Sequence, residues 1–571
     1  MSDPALPAPP AETIYLNGNI LTGVGLDSGD PRRAQALAVA RGEILATGAD
    51  AHILARYKGP KTRTIDLRGA FVMPGFNDAH THLGMGGRIR RSVDLSGVKT
   101  LAQMQSRIRR AARAAAPGQW LSGGGWDQTL WKQDRLPTHH DIDDATEERP
   151  AIFTRVDGHI AVASSAALAA ASVTRNTADP AGGEIDRDAT GEPTGILRET
   201  ALSLISVPPP SPEERRRGLE LGMRDAVSHG VTTVQDLSDW EDFLVLEQLE
   251  RKGKLPLRVS AWLRFDEPLS LEKQQRAHRP GPDRRLRTTM LKGFLDGSLG
   301  SRTAAMKAPY ADAPGNSGLP RFPQDALNAM AIERARAGFQ LGFHAIGDRA
   351  VEMALDAFAA VQQALEQPQS APGPAATPDR RHRIEHSQVV SAGDFARYRR
   401  LGVIASAQPN HLLTDIAWAE QHLGPERSRF AYAWKSFLDA GVPLAFGTDY
   451  PIEPITPFPG IYAAVTRMNR TGTMTFHPEQ SLTVEQALCA YTQGAAFAEI
   501  AETWKGQLIP GHVADFVVLD RDLTAIPPRE ILQAQVLQTV VAGRVVYQRR
   551  STSGPADRHV ASSRPADSAT G

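Results

Sequence analysis

The sequence predicts an α/β protein: a TIM-like (β/α)₈ barrel with insertions, plus a small composite β-sandwich built from the N- and C-terminal segments. Three observations predict it. Residues 73–499 alternate short apolar runs with amphipathic helical stretches, the texture of βα units. Both ends instead carry short apolar runs broken by turn signals, and each end is too small to hide its own apolar face, so the two complete one sandwich. No Gly-x-Gly-x-x-Gly follows a strand, which removes the main support for a doubly wound dinucleotide fold.

Taken in order, residues 1–12 are Pro/Ala-rich and expected to be unstructured. Residues 13–48 read as hairpins. Ile14-Tyr15-Leu16 and Ile20-Leu21-Thr22 flank Asn17-Gly18, a strong two-residue turn signal, and Ala36–Val39 and Ile44–Ala46 flank Arg41-Gly42-Glu43. The first barrel strand follows Ala70-Phe71-Val72-Met73 and Pro74-Gly75. Gly183-Glu184-Ile185 and Thr194–Leu197 form a hairpin within an insertion. Ser211-Pro212-Glu213-Glu214 has capping-box spacing with proline at the first helical position, and its helix runs to His229-Gly230 before the strand Val231–Val234. A strand ends at His344, a helix covers 350–365, a Pro/Ala-rich loop spans 367–379, and Arg383–His386 is a further strand. Thr483-Val484-Glu485-Gln486 opens another capped helix. Asp515–Leu519, Val536–Val541 and Val545–Tyr547 restore the β texture, so 13–72 and 500–549 form the sandwich and 550–571 a disordered tail.

Composition narrows the function classes. Hydrophobic residues at 41% and charged residues at 22% suit a soluble enzyme. Lys+Arg and Asp+Glu are 64 each, so no global field favours nucleic acid or an anionic membrane. The single cysteine, Cys489, excludes a disulfide framework and a Cys-rich metal site and fits a reducing cytoplasm. No signal-peptide pattern and no membrane-length apolar run is present. The expected setting is cytoplasmic, with a small-molecule substrate, no nucleic-acid or membrane partner, and a homodimer as the expected assembly.

The most informative segment is Asp78-Ala79-His80-Thr81-His82. Residues two apart on a strand share a face, so His80 and His82 project together from a strand end and can share a divalent ion. Barrel enzymes place their chemistry at C-terminal strand ends. Lys292 in Met290–Gly297, His344 after Phe339–Phe343, His386 after Arg383–Glu385 and Asp449 after Pro443–Thr448 occupy such ends. Each alone reads as a hydrogen-bonded structural residue or a turn cap; jointly and in barrel order they read as a metal site. Lysine is almost never buried unpaired, so Lys292 must snorkel, pair or be changed. Carboxylation by CO₂ is one such change, and it creates an anionic oxygen ligand.

In that order the residues resemble the metal-dependent amidohydrolase superfamily. Its YtcJ-like branch, which includes N-substituted formamide deformylase, is resembled more specifically. The stretches that carry the resemblance are Pro74–His82, Gly124-Gly125-Trp126-Asp127, Lys292 with Asp296-Gly297-Ser298 and Ser301–Ala304, His344–Ala350, Arg383–His386, Gly447-Thr448-Asp449 and Gly511–Leu519. The match spans roughly residues 13–548, with every ligand position present. It implies one or two divalent ions, zinc expected, held by His80, His82, Lys292, His344, His386 and Asp449. A cation of that kind lowers the pKa of water from near 15.7 to about 7.

The resemblance further implies hydrolysis of a non-peptide, amide-type C–N bond in a small N-acyl or N-formyl compound. Asp449 is the candidate general base, and His159 or Arg302 a donor to the developing oxyanion. Trp126, Asp127 and Asp296 are candidate substrate contacts, with Trp131 beside Trp126 as a pocket wall. Two alternatives stand: a deaminase or cyclic-amide hydrolase of the same superfamily, and a barrel scaffold without catalysis. The deaminase design carries His-x-x-Glu after the fifth strand, where this chain has His344-Ala345-Ile346-Gly347-Asp348; a scaffold would be missing ligands.

Overall fold

A computed structural model describes residues 9–116, 118–132, 135–266, 271–279, 285–366 and 379–550. Eight strands make the barrel: β1 (Phe76–Thr81), β2 (Val231–Leu237), β3 (Arg258–Arg264), β4 (Met290–Phe294), β5 (Gln340–Ala345), β6 (Arg383–His386), β7 (Ile404–Ala407) and β8 (Leu444–Phe446). Each pairs in parallel with its sequence neighbour. All six residues of β1 are buried, as expected of a parallel strand covered on both faces.

The ring closes where the candidate site lies. Thr81 bridges Tyr450 in parallel. Asp449 N–H donates to His80 O at 2.8 Å and His82 N–H to Tyr450 O at 2.7 Å. A Cβ at Gly447 would fall 2.4 Å from His80 N, so this approach of the chain after β8 to β1 requires glycine.

Helices Pro212–Ser228, Gln324–Arg336 and Asp348–Glu366 pack their apolar sides into the main core around the strands. The capping box at Ser211 forms: its Oγ accepts from Glu214 N at 3.3 Å, and Glu214 Oε2 accepts from Ser211 N at 2.8 Å. Thr483 and Gln486 do the same.

Between β1 and β2 the chain builds a separate six-stranded sheet, ordered Gly183–Arg187, Pro193–Glu199, Ile160–Ala163, Ala151–Arg155, Leu121–Trp126, Val93–Asp94. It has cores of its own, one around Met104, Ile108, Trp126 and Phe153, the other around Leu168, Ile185 and Leu197. The expected hairpin of 183–197 is part of it.

The ends form two sheets. One is ordered Glu43–Gly48, Ala36–Ala40, Thr13–Leu16, Arg63–Asp66. The other mixes both ends: Arg544–Gln548, Val536–Val541, Phe516–Leu519, Phe71–Pro74, Asn19–Leu21, Arg33–Ala34. Tyr15, Leu37 and Ile44 of the first share a core with Ile20, Val72, Phe516 and Val540 of the second. The Tyr15 and Phe516 rings meet edge to face at 5.1 Å.

Asn17-Gly18 is not a hairpin turn. Thr13–Leu16 pairs with Ala36–Ala40 and Arg63–Asp66, whereas Asn19–Leu21 pairs with Arg33–Ala34 and Phe71–Pro74. Asn17, at φ +54°, switches the chain from one sheet to the other, held by Asp66 Oδ1 at 3.0 Å from its Nδ2. Residues 9–12 are attached: Ala11 is buried and its N–H donates to Tyr57 O at 2.8 Å. The segments 1–8 and 551–571, expected to be unstructured, and 367–378 of the Pro/Ala-rich loop lie outside the described residues.

Candidate metal centre

The C-terminal ends of β1, β4, β5, β6 and β8 bring His80, His82, Lys292, His344, His386 and Asp449 to one end of the barrel. Ligand atoms of His80, His82 and Asp449 all lie within 4.8 Å of one another. His82 Nε2 is 3.1 Å from Asp449 Oδ1, and His80 Nε2 is 3.6 Å from the same oxygen. Lys292 Nζ, fully buried, sits 3.1 Å from His80 Nε2. The His386 ring centroid lies 5.0 Å from that of His80 and 4.4 Å from that of His344. His344 stands at the margin, because its Nε2 donates to Gly297 O at 2.9 Å.

Three buried residues and the half-buried His411 complete the centre, none of them among the candidate site residues named from the sequence. Glu385 Oε2 lies 2.8 Å from His80 Nδ1. Gln408 Nε2 is 3.2 Å from the same nitrogen. Asp78 ties β1 to the segment after β8, accepting from Thr448 N at 2.9 Å and Thr448 Oγ1 at 2.6 Å. His411 Nε2 reaches Asp449 Oδ2 at 3.3 Å, and His386, His411 and Asp449 form a second group with ligand atoms within 4.8 Å. The one sequence signal for His411 is a histidine just beyond the apolar run of β7.

Burial sets the protonation states. Desolvation, helped by the Lys292 charge, lowers His80 to about 4, so its imidazole is neutral at pH 7, the form that binds metal. Burial alone would raise Asp449, but His80, His411, His82 and His386 outweigh it and keep the carboxylate ionised. Desolvation lowers Lys292 to about 8, against the opposing pull of Glu385 and Asp449. Burial raises Asp78 to about 7 despite its hydrogen bonds from Thr448 and His80.

These residues fit a divalent cation. Neutral imidazoles and an ionised carboxylate converge, and two buried atoms there, His386 Nδ1 and Asp449 Oδ1, lack a hydrogen-bond partner. Buried polar atoms without partners are costly, and a cation satisfies both.

The other sequence-selected residues lie elsewhere or are engaged. Trp126 is fully buried in the insertion core with Nε1 donating to Phe153 O at 2.8 Å, and Trp131 Nε1 donates to Val98 O at 3.0 Å. Asp127 accepts from Thr129 N at 3.1 Å and Arg155 Nη2 at 2.9 Å. His159, its side chain 64% exposed, pairs with Glu199 at 3.0 Å. Arg302 is held by Asp312 at 2.6 Å. Asp296 is buried beside His344 and accepts from Ala305, Ile346 and Gly347 backbone N–H groups at 3.0, 3.1 and 2.8 Å.

Known proteins agree with this geometry. A profile described as amidohydrolase family matches residues 63–547. YtcJ of Bacillus subtilis, named as an amidohydrolase, is 32% identical over 94% of this chain and 100% of its own length. N-substituted formamide deformylase of Arthrobacter pascens is 27% identical over 94% of this chain and 98% of its own. The crystal structure of a metal-dependent hydrolase from Pyrococcus furiosus superposes with a TM-score of 0.75 at 31% identity, covering 90% of this chain and 99% of that one. The chain belongs to the amidohydrolase family, and it is a metal-dependent hydrolase of carbon–nitrogen bonds.

Proposed function

We propose that the protein hydrolyses the amide-type bond of a small N-acyl or N-formyl compound, using one or two divalent cations, zinc foremost. The observation that carries this reading is the convergent group of buried His80, half-buried His82 and buried Asp449, whose shared oxygen Oδ1 has no hydrogen-bond partner. The similarity to a formamide deformylase supports the substrate class. When bound, a divalent cation polarises the acyl oxygen and acidifies water.

The chain's own residues do the rest. Glu385 behind His80 Nδ1 turns Nε2 inward. Asp449, held ionised, takes the proton of the attacking water as the C–O bond forms. It then delivers that proton to the departing nitrogen as the C–N bond breaks, so that the amine leaves uncharged. Lys292, His344 and His386 are further ligands in this reading. The lowered pKa of Lys292 favours the free amine that CO₂ carboxylates. His159, Arg302, Trp126, Asp127 and Asp296 are not needed for these steps, since their polar groups are engaged with the protein itself.

The same reading keeps 13–72 with 500–549 as one composite sandwich and 73–499 as the barrel, supported by the sheet that mixes strands of both ends. Action on small molecules in the cytoplasm accords with the balanced charge and lone cysteine. Among the described residues no helix is long and apolar enough to cross a membrane.

Two measurements test the reading. Purified protein should carry about one to two equivalents of metal, lose activity on chelation and regain it with Zn²⁺. Screening against N-formyl amines, N-acyl amino acids, cyclic imides and esters should show turnover of amides. Activity confined to esters or phosphoesters would overturn the proposal, and ammonia release from purines or pyrimidines would redirect it to deamination.

A further inference from the structure

We propose that the cavity between the insertion and the barrel is a ligand site for a small organic carboxylate, an anion carried on an apolar body, and that Arg91 binds its charge. The site stands apart from the metal centre and does not depend on the substrate class proposed above.

The cavity measures about 900 Å³, the size of a small-molecule site. It lies at the root of the insertion, where the chain leaves the barrel through Arg91 and Ser92 and returns through Val207–Ser211. Apolar packing does not close it. Among the described residues, the two cores of the insertion and the main core of the barrel share no side chain. Part of the wall is carbon: Trp120 and Leu121 of the insertion face Val207 and Pro208–Pro210 of the returning chain, and Val207 is left 41% exposed.

Five charged side chains line the cavity, and four of them are engaged. Arg88 Nη1 lies 3.1 and 3.0 Å from the two oxygens of Asp242. Arg217 Nε donates to Glu213 Oε1 at 2.6 Å, and Arg216 holds the same carboxylate at 2.7 Å. Glu214 Oε2 accepts from Ser211 N and Oγ, both at 2.8 Å. Arg91 is the exception. Among the described residues it has no carboxylate at ion-pair distance, and its Nη1 is shut away from water with no hydrogen-bond partner.

A donor left so is costly, and a guanidinium cannot escape the cost by losing its proton. A carboxylate in the cavity would give it the missing acceptor, in the planar fork that suits arginine. Arg91 is half-buried, so rotation about its outer torsions is enough to bring Nη1 to such an acceptor. An adjoining cavity of about 590 Å³ shares Ser92, Val93, Ala111 and Ala114 with the first. It adds Arg107 and Arg110 against Asp94, so the field at the entrance favours an anion over a cation. The charge is thus held by Arg91, while the prolines, Val207 and Trp120 receive the apolar body.

The test is calorimetric titration of the full-length purified protein as wild type, Arg91→Ala and Arg91→Lys. The probes are acetate, hexanoate, para-iodophenylacetate and the uncharged para-iodophenylacetamide. Hexanoate and para-iodophenylacetate should bind the wild type more tightly than acetate. Arg91→Ala should weaken both by about 10–100-fold, the worth of a hydrogen bond to a charged group, and the amide should lose as much on the wild type. Arg91→Lys keeps the charge without the fork and should fall between. Circular dichroism melts report folding; should Arg91→Ala not fold, the lysine variant and the amide comparison decide. Because carboxylates also bind metal, anomalous scattering from crystals soaked with para-iodophenylacetate locates the iodine. A peak in this cavity supports the inference. A peak confined to the metal centre, no peak at all, or equal affinity of wild type and Arg91→Ala overturns it. None of these results touches the proposed function, and a failed amide screen would leave the Arg91 site standing.

Discussion

Glu385 Oε2 lies 2.8 Å from His80 Nδ1, and both side chains are buried. The other Glu385 oxygen lies 2.9 Å from Nε of the fully buried Arg383. Burial alone would raise the Glu385 pKa, but Arg383, followed by His80 and Lys292, holds it down at about 2. Glu385→Gln keeps the shape and deletes the charge. It should weaken Zn²⁺ binding by about 10–100-fold. It should also cost about 3–5 kcal/mol of stability, because Arg383 loses its buried partner. Competition with a chromophoric chelator and urea unfolding of the metal-free protein measure the two effects separately.

Asp449→Asn should lower kcat by about 10²–10⁴ while leaving the fold intact. Asp449 anchors the ring closure through its backbone N–H to His80 O, and asparagine retains that bond. Wild-type kcat on a substrate whose chemical step is rate-limiting would remove the proton-transfer role from Asp449.

The clearest pH dependence outside the metal centre belongs to His382. Burial, with the Arg380 charge, lowers its pKa to about 3. Its Nδ1 accepts from Leu341 N–H at 3.0 Å, which requires the neutral ring. A folded pKa below the unfolded value near 6.5 means that the unfolded chain binds the extra proton. The resulting stability is present above pH 6.5 and is lost as pH falls toward 3, at about 1.4 kcal/mol per pH unit. His382→Gln, which still offers an acceptor to Leu341, should flatten that slope by one proton between pH 6.5 and 5. Denaturant midpoints across the interval show whether it does.

Deleting everything after Pro510 should give aggregated protein. It removes Phe516–Leu519, Val536–Val541 and Arg544–Gln548 from the mixed sheet and uncovers Phe71, Val72 and Met73. Each buried apolar side chain lost or exposed counts for about 1.5–3 kcal/mol, and a domain's net stability is only about 5–15 kcal/mol. A monodisperse, active truncated protein on size-exclusion chromatography would show that the two ends fold independently.

The candidate ligand positions were legible because each ends a stretch that reads as a strand: His80 and His82 beyond Ala70–Met73 and Pro74-Gly75, His386 after Arg383–Glu385, Asp449 after Pro443–Thr448. His411 was not, since Gln408, Pro409 and Asn410 separate it from β7 and local periodicity does not show a side chain folding back over the barrel mouth. Glu385 and Asp78 stand inside motifs the sequence exposed, but their partners, His80 and Thr448, are far along the chain. The insertion shares the alternating texture of βα units, and nothing local in Leu121–Trp126 marks it as a strand of a separate sheet. Its partner is Ala151–Arg155 rather than a barrel neighbour, a non-local choice. Asn17-Gly18 failed for the same reason: a turn signal reports that the chain bends, not which sheet receives it.

The pairing of Phe71–Pro74 with Phe516–Leu519 sets a schedule for synthesis. The lead-in to the first barrel strand is synthesised well before its antiparallel neighbour, which lies 442 residues further along the chain (516 − 74). At about 5–20 residues per second the interval is on the order of tens of seconds. Through that time the Phe71–Pro74 edge has only Asn19–Leu21 beside it and stands open to foreign strands. The edge of Phe71–Pro74 is therefore expected to need shielding until Phe516–Leu519 is made and covers it.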